Sequence, residues 1–200
     1  FFKNVQSIEP GEYVKMGTNG ISKCRYWEYP FQVEKFNLSE KELIEKCEEL
    51  INEVTSEHLV ADVPVGSLLS GGLDSSLLTV MMSKMSNNKI NTFSASFDDK
   101  NYDENKFSQI VSNQIKSNHL NIILNSEDYE KNLNKVISHT ATPLSIPHEI
   151  ALNSLFQKIS KRTKVVISGE GADEMFGGYG RVQSSGFDYK KIKFVKNFLP

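Results

Sequence analysis

Two short peptides carry the residue types that phosphate chemistry needs. Ser70-Gly71-Gly72-Leu73-Asp74-Ser75-Ser76 and Ser168-Gly169-Glu170-Gly171-Ala172-Asp173-Glu174 each follow an apolar run and combine glycines, small residues and carboxylates. In the first, Gly71 and Gly72 permit positive φ and close backbone approach. A helix leading out from about Asp74 would aim its unpaired N–H groups at the turn, and such helix ends favour phosphate. Ser70, Ser75 and Ser76 add hydroxyl donors. Asp74 inside an anion site calls for a bridging cation, and Mg²⁺ takes one or two carboxylates together with phosphate oxygens. Gly66 and Gly71 have the glycine spacing of the lysine P-loop, but Gly72 stands where its lysine would be, and the dinucleotide pattern Gly-x-Gly-x-x-Gly is absent. Taken alone, the peptide is also open to a plainer reading, a strand-to-helix turn capped by serine and aspartate.

Both turns must be held by something, and the flanking sequence predicts an α/β domain. Strand candidates are Val63 to Leu69, Ile90 to Phe97, Leu120 to Leu124 and Lys164 to Ser168. Between them lie helical patterns: Leu77 to Met85; Phe107, Ile110, Val111 and Ile115, with a possible cap at Asn101; Tyr129, Leu133, Val136 and Ile137; and Leu152, Leu155, Phe156 and Ile159. Strands alternating with helices of this length imply a parallel sheet covered on both faces, with ligands at the carboxyl ends of its strands. Both glycine-rich turns fall at such ends. Upstream, Ser39 and Glu42 form a capping box that starts a helix. Its apolar stripe is Leu43, Cys47, Leu50 and Val54, and its acidic face is expected to be solvated. Before that, Glu12 to Met16 and Ile21 to Tyr29 read as a hairpin joined by Gly17-Thr18-Asn19-Gly20. Residues 1–36 are expected to end another domain and link it to a domain over 37–200.

The bulk numbers exclude some classes. Hydrophobic residues at 38% and charged residues at 24% fit a folded globular chain. A net charge of −2 gives no electrostatic footprint for nucleic acid, so the basic stretch of Arg181, Lys190, Lys191, Lys193 and Lys196 reads as a solvated face or linker. No apolar run approaches the ~20 residues that span a bilayer. Cys24 and Cys47 lack metal spacing and fit reduced thiols of a cytoplasmic protein. None of the four histidines has metal spacing: His58 continues the acidic helix, His119 opens a strand, and His139 and His148 flank the Pro143 to Pro147 loop, where His148 reads as a surface or capping residue. The chain opens on Phe1 and closes at Pro200, which is expected of a piece of a longer protein.

Ser-Gly-Gly-Leu-Asp-Ser-Ser resembles the pyrophosphate loop of the ATP pyrophosphatases, the PP-loop superfamily with an adenine nucleotide alpha hydrolase-like (Rossmann-like) fold. The long segment Val165 to Tyr179 resembles the matching segment of glutamine-dependent asparagine synthetases. Ile8-Glu9-Pro10-Gly11-Glu12-Tyr13 with Arg25-Tyr26-Trp27 is similar to the end of that family's glutaminase domain, and Pro143 to Pro147 is loosely similar to one of its loops.

The resemblance implies ATP-dependent conversion of aspartate to asparagine through β-aspartyl-AMP, with release of AMP and pyrophosphate. Asp74 and Asp173 would bind Mg²⁺, and Glu170 would be the base or orienting group for ammonia. Leu68, Ser70, Gly71, Gly72, Asp74, Ser75, Ser76, Ala95, Ser168 and Gly169 would contact ATP or its pyrophosphate. Ammonia would come from glutamine, hydrolysed by a glutaminase domain in cis whose N-terminal cysteine is not in this chain. The implied partners are therefore small molecules, with no nucleic acid and no membrane, and a homodimer is compatible. A pyrophosphate-binding lysine of the family would lie beyond Pro200, and Thr142 stands where many relatives carry an acid. Two alternatives stay open: a sibling enzyme, such as a β-lactam-forming relative, that adenylates another carboxylate, and a nucleotide-binding regulator without catalysis.

Overall fold

The computed structural model describes residues 3–28, 37–97, 105–141, 144 and 148–180. The chain forms two compact units, residues 1–46 and 47–200, whose division falls inside one helix, α1 (Glu40–His58). In the first unit, β1 (Glu12–Gly17) and β2 (Gly20–Arg25) pair antiparallel, closing through Thr18 and Asn19 with Gly17 opposite Gly20. Arg25 Nη2 meets Glu12 Oε1 at 2.7 Å across the open end. The strand ends at Arg25 rather than running to Tyr29, and Tyr29 itself lies outside the described residues.

The capping box at the start of α1 is formed. Ser39 N–H and Oγ–H both donate to Glu42 Oε2, at 2.8 and 2.7 Å, and Glu42 N–H donates back to Ser39 Oγ at 3.4 Å. These bonds hold the Glu42 carboxyl below its ordinary value. The apolar stripe is not covered as expected: Leu43, Leu50 and Val54 are exposed, and the buried residue of the helix is Thr55. Thr55 satisfies its hydroxyl within the helix, on Ile51 O at 2.6 Å, so a polar residue is buried there at little cost.

The second unit follows the predicted alternation. Its elements are β3 (Val65–Leu68), α2 (Leu73–Met85), β4 (Asn91–Phe97), α3 (Asn105–Ile115), β5 (Asn118–Leu124), α4 (Ser126–Thr140), α5 (His148–Ile159), β6 (Val165–Ile167) and α6 (Ala172–Phe176). The strands make one parallel sheet in the order β5-β4-β3-β6. The chain thus builds outward from β3 to β5, then returns to the other side of β3. That reversal opens a crevice between the carboxyl ends of β3 and β6, the usual ligand position in such sheets. Thr163 Oγ1 donates to Pro64 O at 2.6 Å and ties the two strands at their entry. The proposed cap at Asn101 and most of the Pro143–Pro147 loop lie outside the described residues.

The two faces of the sheet differ in chemistry. One is apolar: Phe93, Ile122 and Leu124 pack with Leu155 and Ile159 of α5, and Leu68, Ala95, Leu120 and Val166 join them. Burying side chains of this size contributes about 1.5–3 kcal/mol each. The other face is a buried polar network. Ser67 Oγ pairs with Thr79 Oγ1 of α2 at 2.7 Å. Thr92, Ser94 and Ser96 of β4 face His119 and Asn121 of β5, with Thr92 Oγ1 to His119 Nδ1 at 2.9 Å, Ser94 Oγ to His119 Nε2 at 3.3 Å and Asn121 Nδ2 to Ser96 Oγ at 2.9 Å. Burial pushes the His119 imidazole below its ordinary value. His119 thus lies at the start of a strand, as its sequence position suggests, with its ring between two hydroxyls of the network.

Candidate active site

The first turn begins where β3 stops. Leu69 N–H still donates to Phe93 O at 2.7 Å, so the sheet hands the chain on in fixed register. Gly71 then takes φ +92°, and its bare Cα sits against Phe107 and the Ser108 amide at the head of α3. Gly72 caps α2 in extended conformation and, lacking a side chain, supplies no side-chain cap to the N–H donors of the first helical turn. The hydroxyls knit the turn: Ser70 Oγ and Ser75 Oγ lie 2.9 Å apart, and Gly72 N–H donates to Ser70 Oγ at 3.2 Å.

The second turn leaves β6 beside it. Glu170 N–H donates to Ser168 Oγ at 3.4 Å, and Ala172 N–H to Gly169 O at 3.3 Å. Gly171, at φ +95°, heads α6. After α6 the chain turns back at Gly177, Gly178 N–H donates to Asp173 O at 3.0 Å, and Tyr179 Oη donates to Glu174 Oε1 at 2.6 Å. That phenol holds the Glu174 carboxyl below its ordinary value. The same bond, together with the charges of Asp173 and Glu170, pushes the Tyr179 phenol up.

The two turns wall one cleft of about 230 Å³. Leu68, Ser70, Gly72, Asp74 and Ser75 line it from the first, and Ser168, Gly169, Glu170 and Asp173 from the second. Three of the expected contacts are not in this wall. Gly71 lies under Phe107, Ala95 packs on the apolar cluster, and Ser76 Oγ is buried without a hydrogen-bond partner among the described residues. Gly171 and Glu174 of the second peptide also line the cleft, and so does Tyr179, which nothing in its spacing marks for it.

The charge pattern decides what fits. Asp74, Glu170, Asp173 and Glu174 face the cleft, with no lysine or arginine among its described lining residues. These carboxylates favour a polyphosphate accompanied by cations. No group of three or more acids, histidines or cysteines among the described residues could cage a metal. Two carboxylates from opposite walls, Asp74 and Asp173, suit the Mg²⁺ mode in which phosphate oxygens and waters complete the shell.

The chain is 31% identical over 177 residues to asparagine synthetase [glutamine-hydrolyzing] 1 of Bacillus subtilis, covering 88% of this chain and 28% of that protein. It is 32% identical over 201 residues to a putative asparagine synthetase [glutamine-hydrolyzing] 2 of Methanocaldococcus jannaschii, covering 99% of this chain and 38% of that protein. It is also 29% identical over 197 residues to the amidase chyE of Penicillium rubens, covering 90% and 29%. The chain thus spans well under half the length of these relatives. The profile of the asparagine synthase family matches residues 46–192, which takes in both turns and every described strand of the parallel sheet, and the chain belongs to that family.

Proposed function

We propose that this chain carries the ATP-dependent half of an amide-forming ligase, converting aspartate to asparagine. The observation that supports it is the convergence of Asp74 and Glu170, from turns almost a hundred residues apart, on one cleft at the sheet's switch point.

In this reading a β-carboxylate oxygen of aspartate attacks the α-phosphorus of ATP. The bond from that phosphorus to the bridging oxygen breaks, and pyrophosphate leaves. The α2 N-terminus and the Ser70 and Ser75 hydroxyls receive the charge that builds on the leaving group. Bound Mg²⁺, held by Asp74 and Asp173, would neutralise phosphate charge among these four acids. Ammonia then attacks the acyl carbon of β-aspartyl-AMP, AMP departs, and Glu170 takes the proton that the new amide nitrogen sheds. Ammonia comes from glutamine, through a glutaminase domain of the intact protein that residues 1–36 would adjoin. We place that protein in the cytoplasm, consistent with two free thiols and with no described helix long and apolar enough to cross a membrane. No role for nucleic acid is proposed, and a homodimer is compatible.

Aspartate-dependent exchange of labelled pyrophosphate into ATP by the intact protein tests this. Exchange with aspartate supports it. Exchange only with another carboxylate favours the second reading, a sibling acyl-adenylating amidase, which the likeness to chyE keeps open. No exchange with any carboxylate, together with biological activity that survives Asp74→Asn and Glu170→Gln, makes the chain a nucleotide-binding regulator.

A further inference from the structure

The short segment after α6 bears directly on a cleft carboxylate. Gly177 is left-handed at φ +69° and closes the helix, with its N–H on Asp173 O. The next residue, Gly178, also donates its N–H to Asp173 O, at 3.0 Å. A Cβ on Gly178 would overlap Oδ1 of Asp173, and would lie 2.9 Å from its Cγ and 3.3 Å from its Cα. Gly177 offers the contrast: a Cβ there would meet nothing within 4 Å.

We propose that Gly178 is a positioning residue for Asp173: its bare Cα is the space into which the Asp173 carboxylate is set on the cleft wall. The atom that a side chain at 178 would strike is the tip of a flexible side chain. Relief therefore comes by swinging the carboxylate, not by opening the backbone. An alanine at 178 keeps the fold and displaces the acid. The inference rests on the reading in which Asp173 binds the cation that accompanies ATP.

The test uses the intact protein, and its readout is binding rather than turnover. Equilibrium dialysis of a non-hydrolysable ATP analogue, repeated across Mg²⁺ concentrations, gives the Mg²⁺ level at half-maximal binding. Thermal melts run in parallel. Asp173→Asn sets the scale, and Gly178→Ala is expected to raise that level with it, by roughly tenfold or more, as losing the partner that orients a metal ligand does. Gly178→Ala should keep a melting temperature near wild type. Gly177→Ala should melt lower, since it forces a left-handed alanine, yet keep the wild-type Mg²⁺ dependence.

If Asp173→Asn shifts the Mg²⁺ level and Gly178→Ala does not, the positioning role is overturned while the cation reading stands. If Asp173→Asn shifts nothing, the cation reading falls and takes this inference with it. A Gly178→Ala protein that fails to fold also overturns it, because the glycine would then be holding the turn rather than placing the acid. Equal shifts in the Gly177 and Gly178 variants would mean general loosening of α6, and would overturn it too.

Discussion

Gly169 rests against the backbone of Ser75: a Cβ at position 169 would stand 3.0 Å from the Ser75 nitrogen and 3.3 Å from the Cβ of Asp74. The second turn is therefore seated directly on the first turn of α2, and the separation of the two cleft walls is set at this contact. Gly169→Ala must move one turn by a few tenths of an ångström. Because reacting groups misplaced by about 1 Å lose roughly a hundredfold, this smaller shift should cost on the order of tenfold in kcat/KM for ATP. Steady-state kinetics of the intact protein check it, and an unchanged kcat/KM would mean the contact does not set the cleft.

The two walls should fail differently. Asp74→Asn removes a carboxylate from the first turn and should abolish both ATP–pyrophosphate exchange and amide formation. Glu170→Gln should keep exchange and slow amide formation, by roughly 10²–10⁴-fold if it is the general base. Measuring both reactions on each variant separates the roles. Loss of exchange in Glu170→Gln would move that residue to the adenylation step.

Gly71 is expected to matter to the fold more than to contact with phosphate. It has φ +92°, and a Cβ there would lie 2.6 Å from both Phe107 Cβ and the Ser108 nitrogen. Strain and overpacking together should make Gly71→Ala less stable by about 2–4 kcal/mol. A fall in the urea midpoint with unchanged slope would show it.

His119 gives the sheet an acid-sensitive spot. Its folded value is lowered by burial, so between that value and about 6.5 the unfolded chain binds a proton that the folded one refuses. Unfolding free energy therefore falls as pH drops from about 6.5 through the lowered folded value, and levels once both forms are charged. In His119→Gln this part of the pH dependence should vanish. Denaturant midpoints of the two proteins at about pH 7.5 and about pH 5.5 would reveal it as a larger wild-type loss at the lower pH.

Much of the architecture was legible because it depends on local pattern. The strand–helix alternation, the Ser39–Glu42 box and the two turns at strand ends all follow from neighbours in sequence, and all stand in the structure. What escaped depends on pairing across distance. Thr92, Ser94 and Ser96 alternate with Phe93, Ala95 and Phe97 in β4, a pattern equally suited to a strand with one wet face. Only the register of β4 with β5 shows the hydroxyls buried against His119 and Asn121. Tyr179 was equally opaque as a cleft residue. Its bond to Glu174 needs the reversal at Gly177 to bring the two together. The stripe on α1 shows the opposite failure, a clear period with no buried face. Among the site residues, those read from the turns themselves line the cleft, apart from Gly71 and Ser76, whereas Ala95, placed by family resemblance, does not.

The pairing of Val65 with Val165 has a consequence in time as well as space. Neighbours such as Gly66 and Asn91 close a modest loop and can meet early, whereas β3 and β6 join chain positions a hundred apart. Closing so long a loop is slow, and its contacts reward the chain only once they are made. The cleft should therefore be among the last parts of the molecule to exist. A nascent or partly melted chain would keep three of its strands and only the first of the two cleft walls, so full nucleotide affinity would report on completion of the whole sheet.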